Sequence, residues 1–304
     1  REHHQLLNDL CEEVYYYKRN EGHKGFSLEF PYIVASRKDD ALWERLNADA
    51  HPVLLEGVHC TYGLITGKLK KQNVAVRLHN VECEYYKQVG MWEKSLLKKA
   101  YMQNESRLLK RHEEQLRNYT ILALSESDAA YYRKVFKARS THFIPPFISG
   151  QMVTSKEGLG TFALYHGNLS VAENEKAASW LLEKVFANLE IPLVVAGKNP
   201  SKRLISLAHL HQHTCIVENP AETELQDLIQ KAQLHILPSF TDSGIKFKLL
   251  NAVFNGRHVI ATNEMVKGSH LEKACTIVNN PTELKYHAFR LFHKTFTDDD
   301  IQLR

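Results

Sequence analysis

Lys246 and Lys248 stand two residues apart, just after Gly244, at the expected start of a helix. The run 237–262 passes from a strand end through a polar loop holding Ser243, Gly244 and Ile245 into that helix, then a stop at Gly256 and another strand. A helix start offers free backbone N–H groups and the positive end of its dipole, which suit a phosphate. Cations are unfavourable there, so two lysines make sense if an anion binds between them. The alternative is two solvated surface lysines. His79 is the second candidate. It follows the apolar run 74–78 at a strand's carboxyl end, where open α/β sheets bind ligands. The alternative is a structural histidine bonding its own loop. His59 and Glu82 are weaker candidates for an acceptor side, and Glu56 and Glu82 read equally well as caps. His211 and His213 lack a third ligand at metal spacing. No Walker motif and no Gly-x-Gly-x-x-Gly is present, which removes support for ATP hydrolysis and NAD chemistry.

The elements that must position these residues follow a strand–helix rhythm. Strand candidates are 52–55, 74–78, 121–124, 162–165, 193–196, 215–217, 234–237, 259–262 and 276–278. Helical periodicity fills 92–118, 173–187, 201–211, 222–232, 245–255 and 282–293. Such alternation implies parallel sheets built from βαβ units. Pro145 and Pro146 mark a seam, and 149–160 reads as a linker. The expected architecture is α/β, two Rossmann-like domains at 1–148 and 149–304 with sheets facing a central cleft. The last helix is expected to pack back on the first domain. The first domain opens on a helix over 2–13 and a strand over 14–17, with Tyr15, Tyr16 and Tyr17 at a buried strand end.

Composition bounds the class. The chain has 304 residues, 43% hydrophobic and 24% charged, which fits two ordinary globular domains. No apolar run is long enough for a membrane span, and no apolar signal core follows the polar start. Five scattered cysteines without a CxxC pair read as reduced thiols, hence a cytoplasmic setting. The net charge of +4 comes entirely from residues 1–150, where 23 basic residues face 19 acidic ones. Within 87–111 seven basic residues face two acidic ones. This stripe is either a solvated helix face or a peripheral contact with anionic membrane. Nucleic acid is not an expected partner.

The run Ser-Gly-Ile-Lys-x-Lys-x-Leu-x-Ala (243–252), with Val-Ile-Ala-Thr after Gly256, resembles the donor-site helix of family 4 glycosyltransferases of the GT-B fold. His166-Gly167-Asn168-Leu169 resembles that family's glycine loop, and 194–200 its next strand and Gly-x-x-Pro turn. Leu124-Ser-Glu-Ser-Asp128, Ala75–Glu82 and Leu55–His59 fall in family order. The resemblance covers roughly residues 50–280 and implies a hexosyltransferase-like enzyme. It would take a UDP- or GDP-sugar and a glycan or lipid-linked acceptor, as in polysaccharide biosynthesis. Retention of configuration is implied, with no metal and no cofactor. The implied roles give Gly167, Asn168, Ser243, Gly244, Ile245, Lys246, Lys248 and Asn251 to the donor and its phosphates, with His79 near the transferred sugar. Asn251 departs from the family's ribose-binding glutamate, and Asn168 from a frequent arginine. The Asn251 departure leaves as one alternative a degenerate GT-B protein that binds nucleotide-sugar or a partner without turnover; another, on the same double-Rossmann frame, is a nucleotide-sugar epimerase, which would need a carboxylate base at the cleft. The family also places a first strand and a Gly-rich loop before the opening helix, so the amino-terminal domain is expected to be incomplete at its start.

Overall fold

The computed structural model describes residues 4–71, 73–93, 95–145, 152–241 and 246–304. Two compact units are present, 1–123 with 129–144 and 124–128 with 145–304. Each is built on one all-parallel sheet, so the α/β expectation with two parallel sheets holds.

The first unit holds β1 (Val53–Glu56), β2 (Val74–Leu78), β3 (Thr120–Ala123) and β4 (Ser140–Phe143), in the order β1-β2-β3-β4. β4 escapes sequence reading because Ser140, Thr141 and His142 are polar and the strand lies at a half-exposed edge. The expected strand over 14–17 does not form. Tyr15 and Tyr16 are about half exposed, and the Arg45 guanidinium sits 3.4 Å from the Tyr15 ring centre. Aromatic residues there meet a cation, not a neighbouring strand.

The helix expected over 92–118 forms over Leu96–Gln115, and a separate helix that the periodicity does not predict, Glu82–Trp92, precedes it. Ser95 caps the second by accepting from the Lys98 N–H. Leu96 and Leu97, which carried part of the apolar period, are 82% and 84% exposed. The buried face instead mixes Leu108, Leu109 and Leu116 with Glu105, His112 and Glu113. Each polar member ties down another segment. Glu105 accepts from the Tyr32 N–H at 2.8 Å. His112 Nε2 meets Thr61 Oγ1 at 2.7 Å. Glu113 accepts from the N–H groups of Glu82 and Cys83 and from the Tyr132 hydroxyl. Burial pushes the Glu113 carboxyl up to about 7, against the pull of these donors.

The second unit holds β5 (Ala163–His166), β6 (Leu193–Gly197), β7 (Thr214–Glu218), β8 (Leu234–Leu237), β9 (His258–Ala261) and β10 (Thr276–Ile277), in the order β10-β9-β8-β5-β6-β7. β5, β8 and β9 are buried at every residue, as covered parallel strands are. From β5 the chain moves outward through β6 to β7, then returns to the other side of β5 as β8. This reversal opens a crevice at the carboxyl ends of β5 and β8. A Cβ on Gly197 would stand 1.8 Å from the Gly167 carbonyl oxygen, so only glycine lets the loop after β5 lie on the end of β6. The stretch expected as a linker is anchored in part. Thr154 N–H bonds the Phe254 carbonyl, and Gly158 pairs with Phe296. Arg304 donates to the carbonyls of Val253, Gly256 and Arg257 in the same unit.

Candidate functional site

The crevice between β5 and β8 holds a buried polar cluster. Lys246 is the N-cap residue of the helix Phe247–Asn255, and Lys248 lies in its first turn. Neither is a solvated surface lysine. Lys248 Nζ donates to Asn174 Oδ1 at 2.8 Å and to the Tyr165 hydroxyl at 3.3 Å, and lies 5.1 Å from the Tyr165 ring centre. Burial pushes its ammonium down to about 8, and Lys246 adds to the depression against the pull of Glu173. Lys246, its side chain only 14% exposed, donates to Thr241 Oγ1 at 2.8 Å. Its Nζ lies 3.8 Å from Glu173 Oε1. That oxygen also accepts from the hydroxyls of Ser239 and Thr241, both at 2.7 Å. Burial pushes the Glu173 carboxyl up, but Lys246, the two hydroxyls and Lys248 together hold it below the usual carboxylate range.

The glycine loop is tied to this cluster. Asn174 Nδ2 donates to the Asn168 carbonyl at 2.9 Å, and Asn168 Oδ1 accepts from the Ser170 N–H and hydroxyl. A Cβ on Gly167 would press on the Asn174 amide at 3.3 Å. The structure thus brings together Gly167, Asn168, Lys246 and Lys248 from the sequence reading. Asn251 lies about one turn beyond Lys248 on the same helix, its Oδ1 accepting from Asn255 Nδ2 at 2.7 Å. Ser243, Gly244 and Ile245 lie outside the described residues. His166 is buried at the end of β5, and neither ring nitrogen has a hydrogen-bond partner among the described residues.

A second group gathers at the carboxyl ends of β1 and β2. His79 Nε2 meets Glu56 Oε1 at 2.5 Å, and Arg77 Nη1 lies 3.6 Å from Glu56 Oε2. Both His79 and Glu56 keep about half of their side chains exposed. The His59 ring lies 6.4 Å from that of His79. Burial, with Arg37 and His79, pushes the His59 pKa down to about 4, so its ring is neutral near pH 7. Glu82 starts a helix and accepts from Asn80 Nδ2 at 3.2 Å, with its carboxyl pushed up by burial.

Sequence reasoning missed Glu173 and left Glu56 among the caps. Glu173 lies in the first turn of the helix Ala172–Trp180, where an acid is the ordinary complement to the dipole. Nothing in its local sequence separates that role from a partner 73 positions away. Chemically, the crevice presents two buried ammonium groups, a countercharge and backbone from a glycine loop, a set suited to an anion of two charges. Among the described residues no group of three His, Cys, Asp or Glu side chains is arranged to hold a metal.

Residues 161–293 match the family described as glycosyl transferases group 1. An uncharacterized 44.6 kDa protein in the cps region of Klebsiella pneumoniae is 26% identical over 277 residues, covering 85% of this chain and 70% of that protein. The structure of WaaG, a glycosyltransferase involved in lipopolysaccharide biosynthesis, is similar at a TM-score of 0.56 and 14% identity, covering 84% of this chain and 86% of that one. A TarM variant from S. aureus, solved with fondaparinux, alpha-GlcNAc-glycerol and UDP, is similar at a TM-score of 0.55 and 11% identity over 79% of this chain. This chain spans about half (48%) of TarM's length. The second unit thus matches the group 1 glycosyl transferases, and the two parallel sheets share the GT-B fold of these neighbours.

Proposed function

We propose that the protein transfers a sugar from a UDP- or GDP-sugar to a glycan or lipid-linked acceptor, with retention of configuration and without a required metal. The buried pair Lys246 and Lys248 at the β5–β8 crevice carries this reading. When the glycosidic bond breaks, negative charge develops on a nucleoside diphosphate, and fixed cations in a water-poor site stabilise it. Two lysines supply that charge from protein alone. TarM was solved with UDP and a glycosyl glycerol, which supports a donor and an acceptor of these classes. His79, oriented by Glu56, serves the transferred sugar or the acceptor hydroxyl, with His59 and Glu82 nearby in sequence.

The basic stripe supports peripheral contact with anionic membrane. Lys98, Arg107, Lys110 and Arg111 are exposed on the helix Leu96–Gln115, while Glu105 turns inward at 1% exposure. The outward charge is therefore more basic than the sequence count. No helix among the described residues is long and apolar enough to cross a membrane.

Asn251 favours a second reading, a protein that binds the nucleotide-sugar without turnover, because a neutral amide stands where the family carries a ribose-gripping carboxylate. Thermal shift with UDP, GDP and their sugars, followed by donor-turnover assays with glycan and lipid acceptors, separates the two. No melting shift with any nucleotide refutes both. A shift without turnover selects the second.

A further inference from the structure

Resting on the donor-site reading above, we infer that Glu173 is a fixed counter-anion for Lys246, with which a diphosphate must compete for that cation and which hastens the departure of the product. Three observations carry this. The Glu173 side chain is 11% exposed and that of Lys246 14%, so the two charges face each other largely out of water at 3.8 Å. The same Glu173 oxygen is held by Ser239 and Thr241 from the segment after β8, which fixes the carboxylate in place whether or not an anion is bound. Thr241 Oγ1 also accepts from Lys246 Nζ at 2.8 Å, so cation, hydroxyl and carboxylate form one closed set.

A phosphate arriving at this helix start takes Lys246 as its cation and meets Glu173 as a fixed like charge. Attraction by two lysines is thereby set against repulsion by one carboxylate. Like charges in a partly dry site repel far more strongly than in bulk water. The repulsion is greatest for the nucleoside diphosphate, whose terminal phosphate carries the most charge. It is smaller for the sugar-capped donor. Glu173 thus weakens product more than substrate, and acts through Lys246 as a positioning residue without touching the reacting bond.

Glu173→Gln is a clean test, because a glutamine Oε1 still accepts from Ser239 and Thr241 and only the charge is lost. Binding of UDP, GDP and inorganic pyrophosphate is measured by titration calorimetry at two salt concentrations, with the Lys246→Gln and double variants alongside. The expected result is about five-fold tighter nucleoside diphosphate binding in Glu173→Gln, with a smaller gain for the nucleotide-sugar. The gain should shrink in the Lys246→Gln background, where only direct repulsion is left to relieve, as required of residues that are coupled. A KM that falls together with kcat marks slowed product release. Unchanged or weaker diphosphate binding in Glu173→Gln overturns the inference, as does a gain undiminished by loss of Lys246. If the unaltered protein binds none of the three anions, the donor-site reading itself fails, which is a different result.

Discussion

Replacing Lys248 by methionine should make the protein more stable and a poorer nucleotide binder at once. Burial depresses the ammonium from 10.5 to about 8. At about 1.4 kcal/mol per pKa unit, keeping that lysine charged at pH 7 costs the fold about 3 kcal/mol. Lys248→Met removes the cost at nearly equal volume and forfeits the charged hydrogen bond to Asn174, worth about 2 kcal/mol. The net gain at pH 7 is therefore about 1 kcal/mol. The pH dependence has a definite sign. Between about 8 and 10.5 the unfolded chain holds the lysine proton and the folded one has released it, so the stability of the unaltered protein rises with pH across that window. Below 8 both states are protonated and the cost is present in full. The variant should lack this rise. Urea unfolding of both proteins at pH 7 and pH 10 measures the two effects. Pyrophosphate and UDP titrations should show at least ten-fold weaker binding, the loss of one charged hydrogen bond. A variant less stable than the parent at pH 7, with the same rise toward pH 10, would refute the burial argument.

Three further expectations follow, two from the sites and one from the basic stripe. Asn251→Glu should tighten UDP or GDP binding several-fold while leaving inorganic pyrophosphate unchanged, because only a nucleotide has ribose hydroxyls for the carboxylate; equal effects on both place Asn251 away from the ribose. Glu56→Gln should lower kcat about ten-fold by removing the charged partner of His79, with KM for the donor little changed, and His79→Ala should lower it further; equal turnover in all three proteins removes that pair from the chemistry. In liposome flotation the protein should bind vesicles containing phosphatidylglycerol and release them at high salt, and Lys98→Glu with Arg107→Glu should abolish binding; flotation indifferent to anionic lipid removes the membrane contact.

Covered parallel strands read directly from sequence. Runs such as Leu234–Leu237 and Val74–Leu78 are apolar almost throughout, and each forms a strand at the same residues. Where elements are half wet the pattern fails. β4 is polar, and Val14–Tyr17 has strand-forming residues without a strand beside it among the described residues. The helix Leu96–Gln115 begins about four residues later than its periodicity predicts, and its two leading leucines imitate a buried stripe while standing exposed. The same split governs the crevice. Lys246, Lys248 and Gly167 are legible because a cation at a helix start and a glycine after a strand are locally unusual. Glu173 and Glu56 are invisible because an acid in a first turn and an acid at a strand end are locally ordinary. Their meaning comes only from partners that the fold brings near.

The polar face of the helix Leu96–Gln115 has a further consequence. Glu105 holds the backbone at Tyr32, His112 the hydroxyl of Thr61, and Glu113 the amides that begin the helix Glu82–Trp92. Three stretches far apart in the chain thus share one support. When that helix frays or shifts, all three lose their anchorage together, so slow breathing of the first unit is collective and its amide hydrogens exchange as a block.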